Sequence, residues 1–177
     1  MTTHIAVERF TKELYALLDE TFEQVHGHFL DRNTSLFETL ATISAEEASR
    51  PVSARCASIA AQVNHVRFYI AVLERLMRGE EVGRIDWAES WRVQHVTGEE
   101  WEALKGQLKA AYQSALSCME RPDNWRREDS IGEAMAILVH TAYHLGEIRQ
   151  ALCTIKQQAS SPAGQANDTS RFRAATL

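Results

Sequence analysis

Apolar residues in this chain recur at three- and four-residue steps over stretches far longer than a strand, and very little interrupts them. Such spacing gathers apolar side chains on one face of a helix, whereas a half-buried strand would alternate. Ile5, Phe10, Leu14, Leu17, Leu18, Phe22 and Val25 form one such stripe and predict a first helix over residues 3–29. Only three prolines and eight glycines occur in 177 residues, and both are scarce in the periodic stretches. That favours helices over a turn-rich β architecture.

The remaining punctuation divides the chain further. Residues 31–52 predict a short helix and a connection stopped by Pro51. Ser53 is a candidate cap for a second long helix that reaches residue 78, where Gly79 ends it. Residues 80–96 form the longest irregular piece and carry Trp87 and Trp91, four apart. Thr97 with Glu100 is a capping box that opens a third helix to about residue 119. Pro122, Asp123 and Asn124 predict a turn, and Ser130 with Glu133 repeats the capping-box signature ahead of a fourth helix to about residue 156. Four long amphipathic helices with modest connections predict an all-α, up-and-down four-helix bundle over residues 1–157. Residues 158–177 are small, polar and aperiodic, and read as a flexible tail.

Charge and cysteine usage exclude several classes of function. The formal net charge is −5, and the nearest approach to a basic cluster, Arg121, Arg126 and Arg127, is interleaved with Asp123, Glu128 and Asp129. Nucleic-acid binding would need clustered cations, so none is expected. No run approaches the roughly 18 apolar residues of a membrane span, and the first residues are too charged for a secretory signal. Cys56, Cys118 and Cys153 are odd in number and form no Cys-x-x-Cys pair. A cytoplasmic protein with reduced thiols is expected.

The chemistry lies in the fourth helix. His140 and His144 are four apart, hence on one face and able to share an ion. They also fall on the inward seam of Ile137, Ile148, Leu152 and Ile155, where leucine would be ordinary and where each ring needs a polar partner. Among seven histidines such spacing also arises by chance, and a core histidine is commonly satisfied by a carbonyl or carboxylate. His65 shifts the balance towards metal. It sits among Val63, Val66, Ile70 and Leu73 in the middle of the second long helix, which can neighbour the fourth. Three neutral imidazoles suit zinc, nickel, copper or iron(II), and leave a coordination position open.

With these blocks, NHVRFY around His65 and HTAYHLGEIRQ around His140 and His144, the chain resembles the DinB/YfiT-like putative metalloenzyme superfamily over residues 5–156. The resemblance implies an up-and-down four-helix bundle with unusual connections, a divalent metal held by His65, His140 and His144, and frequent homodimers. It also implies an activity. Relatives include S-transferases and isomerases that use bacillithiol, mycothiol or glutathione, and an ion that activates a thiol could equally activate water for hydrolysis.

Other residues are candidates by position. Glu147, one turn beyond His144, is the candidate catalytic carboxylate, either orienting a ligand or acting as a base; Glu133 is a weaker one, since capping already explains it. Trp87, Trp91 and Tyr143 are candidates for lining a substrate or thiol site, with packing as the alternative. Arg67 and Arg149 could meet a carboxylated cosubstrate or simply be surface residues. Asn64 points away from His65, and His4, His26, His28 and His95 fall outside the pattern. Three readings remain open: a metal-dependent thiol transferase or hydrolase acting on a small molecule, a non-catalytic, stress-related, dimeric metal-binding bundle, and a helical interaction module without metal.

Overall fold

The computed structural model describes residues 5–160. They form six α-helices: α1 (Val7–Phe22), α2 (Leu36–Leu40), α3 (Ala45–Ser49), α4 (Ile59–Met77), α5 (Gly98–Met119) and α6 (Ser130–Ser160). Two 3-10 turns, Trp87–Trp91 and Pro122–Arg126, complete the regular structure, and no strand occurs among the described residues. The fold is therefore all-α. Helix α4 lies at its centre, packed against both α5 and α6, while α1 packs on α6 and the Trp87–Trp91 turn lies on α4. Burial follows from this placement. From Ile59 to Val66 every residue of α4 is buried, polar ones included. No helix among the described residues is long and apolar enough to cross a membrane.

The helix ends show which local signals won. Thr97 and Glu100 form the expected capping box, with the Glu100 amide donating to Thr97 Oγ1 and the Thr97 amide to Glu100 Oε2 at 2.8 Å. Gly79 ends α4 as expected, in the left-handed region at φ +76°. Five expectations need correcting. Helix α1 stops at Phe22 rather than residue 29, because the next segment folds around a buried carboxylate. Glu20 accepts hydrogen bonds from the amides of His26, His28, Phe29 and Leu30 at 2.7–3.1 Å, with Gly27 at φ +88° making the bend. Val25 extends the apolar stripe on paper but lies in that loop.

The second correction concerns α4, whose cap is Ser58, not Ser53: Ser58 Oγ accepts from the Ala61 amide, whereas Ser53 Oγ faces Cys56 Sγ at 3.1 Å. Third, residues 31–52 hold two short helices, each with its own capping box, Ser35 with Glu38 and Ser44 with Glu47. Fourth, Ser130 and Glu133 do not form a box. The Ser130 hydroxyl donates to the Asn124 carbonyl, and Glu133 keeps one buried oxygen without a hydrogen bond. Fifth, helix α6 continues to Ser160, past the expected end at residue 156, since no breaker occurs before Pro162. The rest of the expected tail, residues 161–177, lies outside the described residues, as does His4.

Candidate metal centre

Because α4 and α6 are packed together, a residue in the middle of one can meet a residue in the middle of the other. His65 of α4 meets His140 and His144 of α6, with one potential ligand atom from each ring within 4.8 Å of the other two. Ring centroids are 5.0 Å apart for His65–His140, 5.0 Å for His65–His144 and 4.6 Å for His140–His144. His65 is 7% exposed and His144 4%, so both sit inside the protein. The expected convergence is present.

The hydrogen bonds around the rings decide which nitrogen faces inward. Ser90 Oγ donates its only proton to the Trp87 carbonyl at 2.6 Å, so at 2.7 Å from His65 Nδ1 it acts as an acceptor. His65 therefore carries its proton on Nδ1 and a lone pair on Nε2. His144 Nδ1 is hydrogen-bonded to Gln62 Oε1 at 3.4 Å and lies 3.0 Å from Glu147 Oε2, and oxygens on both sides assign the same tautomer there. His140 Nε2 is buried and has no hydrogen-bond partner at all. Two rings thus have outer nitrogens tied back and inner ones free, and the third has an inner nitrogen with nothing to bind.

Protonation agrees with a ligand role. Burial lowers all three imidazoles; His140 and His144 fall to about 4, with the neighbouring rings adding to the effect, and Glu147 only partly opposes it at His65 and His140. The rings are neutral at pH 7, which is the form that coordinates metal. The residues fit a divalent transition ion: three neutral imidazoles, two of them with oriented Nδ1–H groups, and an orphaned buried ring nitrogen that an ion would satisfy. This group could hold a metal ion.

Aromatic rings enclose the cluster. Trp91 stacks on His65 with centroids 4.0 Å apart and planes 17° apart, and Tyr69 stacks on His140 at 3.7 Å and 15°. Trp87 lies 5.6 Å from Tyr69 and 6.4 Å from His65. Trp91 also lines a cleft of about 640 Å³ together with Gln62, Tyr143, Glu147 and Cys56. Tyr143 is 61% exposed, so the packing alternative fails for it; its hydroxyl donates to Glu147 Oε1 at 2.7 Å. Glu147 therefore joins a phenol at the cleft to the Nδ1 side of His144. Glu133 makes no hydrogen bond or ion pair with any of the three rings, and burial raises its carboxyl.

Asn64 is no ligand, as expected, but its Nδ2 donates to the Ser90 carbonyl at 2.7 Å and so pins the turn that orients His65. Arg67 holds Asn64 Oδ1, and Arg149 has no ion pair among the described residues. Gln62 (whose Oε1 is 3.4 Å from His144 Nδ1) and Tyr69 share the His65 side of α4 by spacing alone, whereas the contribution of Ser90 was not legible in the sequence. Ser90 lies 25 positions from His65, and no local spacing links them. His26 pairs with Asp19 in the α1 loop, and His95 lines a separate groove. Neither family models nor curated proteins nor solved structures gave a match to this chain.

Proposed function

We propose that this chain is a divalent-metal protein of the DinB/YfiT-like type, an up-and-down four-helix bundle in which His65, His140 and His144 hold one zinc, nickel or iron(II) ion. We read its activity as transfer of a low-molecular-weight thiol of the bacillithiol, mycothiol or glutathione kind to a small-molecule substrate, or the related hydrolysis, in the cytoplasm. The observation that carries the metal reading is the buried, partnerless Nε2 of His140 between two rings whose outer nitrogens are already held. A bound ion supplies Lewis acidity, which lowers the pKa of a thiol or water at an open position.

The chain's own groups do the rest. Ser90 and Glu147 fix the orientation of His65 and His144. Glu147 positions His144 and holds the Tyr143 hydroxyl at the cleft, where Trp91 and Tyr143 offer aromatic surface to a substrate. The test is a conjugation assay with several thiols and an electrophile, run on untagged protein of measured metal content beside His144→Ala. Turnover that requires His144 supports the reading, and none with any thiol removes the transferase assignment.

A second reading, a non-catalytic dimeric metal protein, is favoured by a different face. Ile131, Met135, Val139 and Tyr143 recur every four residues along α6 and are 46–61% exposed, an apolar ridge suited to self-association. Sedimentation of the wild type beside Val139→Glu tests it: a dimer that the substitution dissociates supports the homodimer, and a wild-type monomer sinks it.

A further inference from the structure

Between α4 and the Trp87–Trp91 turn lies a groove of about 500 Å³, lined by none of the three histidines, that the proposed activity does not use. Its floor is apolar, formed by Phe68, Ala71, Val72 and Val93, and its walls carry Arg67, Arg75 and Arg92 against the single carboxylate of Glu89. Three guanidiniums around one concavity concentrate hydrogen-bond donors there, with Glu80, Asp86 and Glu89 balancing their charge.

The donors are also largely unspent. Arg67 uses Nε and Nη2 on Asn64 Oδ1, Arg75 uses Nε on Glu80, and Arg92 reaches Asp86 at 3.4 Å through Nη2. Nη1 of all three is without a hydrogen bond among the described residues. The Arg75 and Arg92 pairs are between exposed groups and hold little free energy. A guanidinium fork matches a carboxylate in shape as well as charge, and the floor suits a hydrocarbon or aryl body. Glu89 disfavours a multiply charged ligand.

The groove is wired to the metal cluster. The Arg67 fork grips Asn64 Oδ1, Asn64 Nδ2 holds the Ser90 carbonyl, and Ser90 Oγ accepts from His65 Nδ1. Every member of this chain except Arg67 is buried, so no water can substitute for a broken link at low cost. An anion that draws the Arg67 fork towards the groove changes the hold on Asn64, and thereby on the serine that orients His65.

We infer that the Arg67–Arg75–Arg92 groove binds a small organic monocarboxylate, and that its occupancy is communicated to His65 through Asn64 and Ser90. The binding half stands without the metal reading; the communication half rests on it. Calorimetric titration of the chelator-treated full-length chain with benzoate, acetate and inorganic phosphate separates the two. Saturable benzoate binding is expected, about tenfold tighter than acetate, and weakened about tenfold in Arg67→Gln or Arg92→Gln, with Arg126→Gln unchanged. Absence of saturation, tighter binding of phosphate than benzoate, or equal weakening in Arg126→Gln overturns the site.

For communication, zinc affinity is measured with and without saturating benzoate, and a change of about fivefold is expected. In Arg67→Lys, which keeps the cation but cannot fork onto Asn64, benzoate binding should stay within about threefold while the effect on zinc disappears. Asn64→Ala should behave likewise. Zinc affinity indifferent to benzoate in the wild type overturns the linkage. A wild type that takes no zinc overturns the metal reading and the linkage together, and leaves the groove to the chelator-treated titration.

Discussion

Two buried polar clusters in this protein are built on opposite plans. Around Glu20, at the end of α1, one fully buried carboxylate receives four backbone amides, and nothing in that knot is left over. Its carboxyl is held at about 2 by those amides, which outweigh the opposing effect of burial. Around His65, His140 and His144 the Nδ1 atoms of His65 and His144 have acceptors, while His140 Nε2 is buried with no partner. Burial there destabilises the charged form, and Glu147 opposes this only in part at His65 and His140. A closed polar cluster contributes to stability, while an open one costs stability and is kept for what it can bind.

Four experiments can break or sharpen that contrast. The largest effect is expected from His140→Ala on metal affinity. Removing one of three ligands should lower zinc affinity by about a thousandfold or more, since coordination free energies are on the order of 10 kcal/mol, while urea unfolding of the metal-free form should not show a loss. A metal-free variant markedly less stable than the wild type would mean that His140 is an ordinary core residue. Next is Glu20→Gln, which removes the charge that four amides share. Urea denaturation should show a loss of about 2–3 kcal/mol with metal affinity unchanged, and a loss below about 0.5 kcal/mol would contradict the closed-knot description.

Ser90→Ala follows, removing the acceptor of His65 Nδ1–H. A fall of about 10–100-fold in metal affinity is expected from loss of such an orienting bond, with Cα-level structure preserved by the Asn64 hold on the Ser90 carbonyl. The smallest effect is Tyr143→Phe: loss of its exposed bond to Glu147 should leave the urea midpoint unchanged, whereas a change in KM would place the phenol at the substrate.

The pH dependence separates the clusters as well. Both kinds of group have folded-state pKa values below their unfolded ones. Stability is therefore highest above each unfolded pKa and falls as pH drops towards the folded value. For Glu20 this is because its hydrogen-bonded charge is lost, and for the histidines because a buried charge is created. For His140 and His144 the window runs from 6.5 down to about 4, and for Glu20 from 4.5 down to about 2. Metal-free wild type should weaken first in the upper window, His140→Ala should flatten that limb, and Glu20→Gln should flatten only the lower one. A single unresolved acid limb, insensitive to either substitution, would refute the separation.

Much of this was legible along the chain because the responsible forces are local. The capping box at Thr97, the stop at Gly79 and the four-residue step between His140 and His144 depend on neighbours within one turn. Two of the errors share a cause: a competing contact came from outside the expected helix. Ser130 gave its hydroxyl to Asn124 rather than to its own helix, and α1 ended early because four amides found Glu20.

By itself the sequence determined that the chain is helical and that three histidines fall on inward faces, since periodicity and burial preference are properties of single segments. Tertiary structure alone decided that the three rings meet, which nitrogen His65 and His144 offer, and that Ser90 orients His65. Those outcomes depend on the packing of α4 against α6 and on a turn far along the chain, and no local pattern encodes a distance between segments that only the fold brings together.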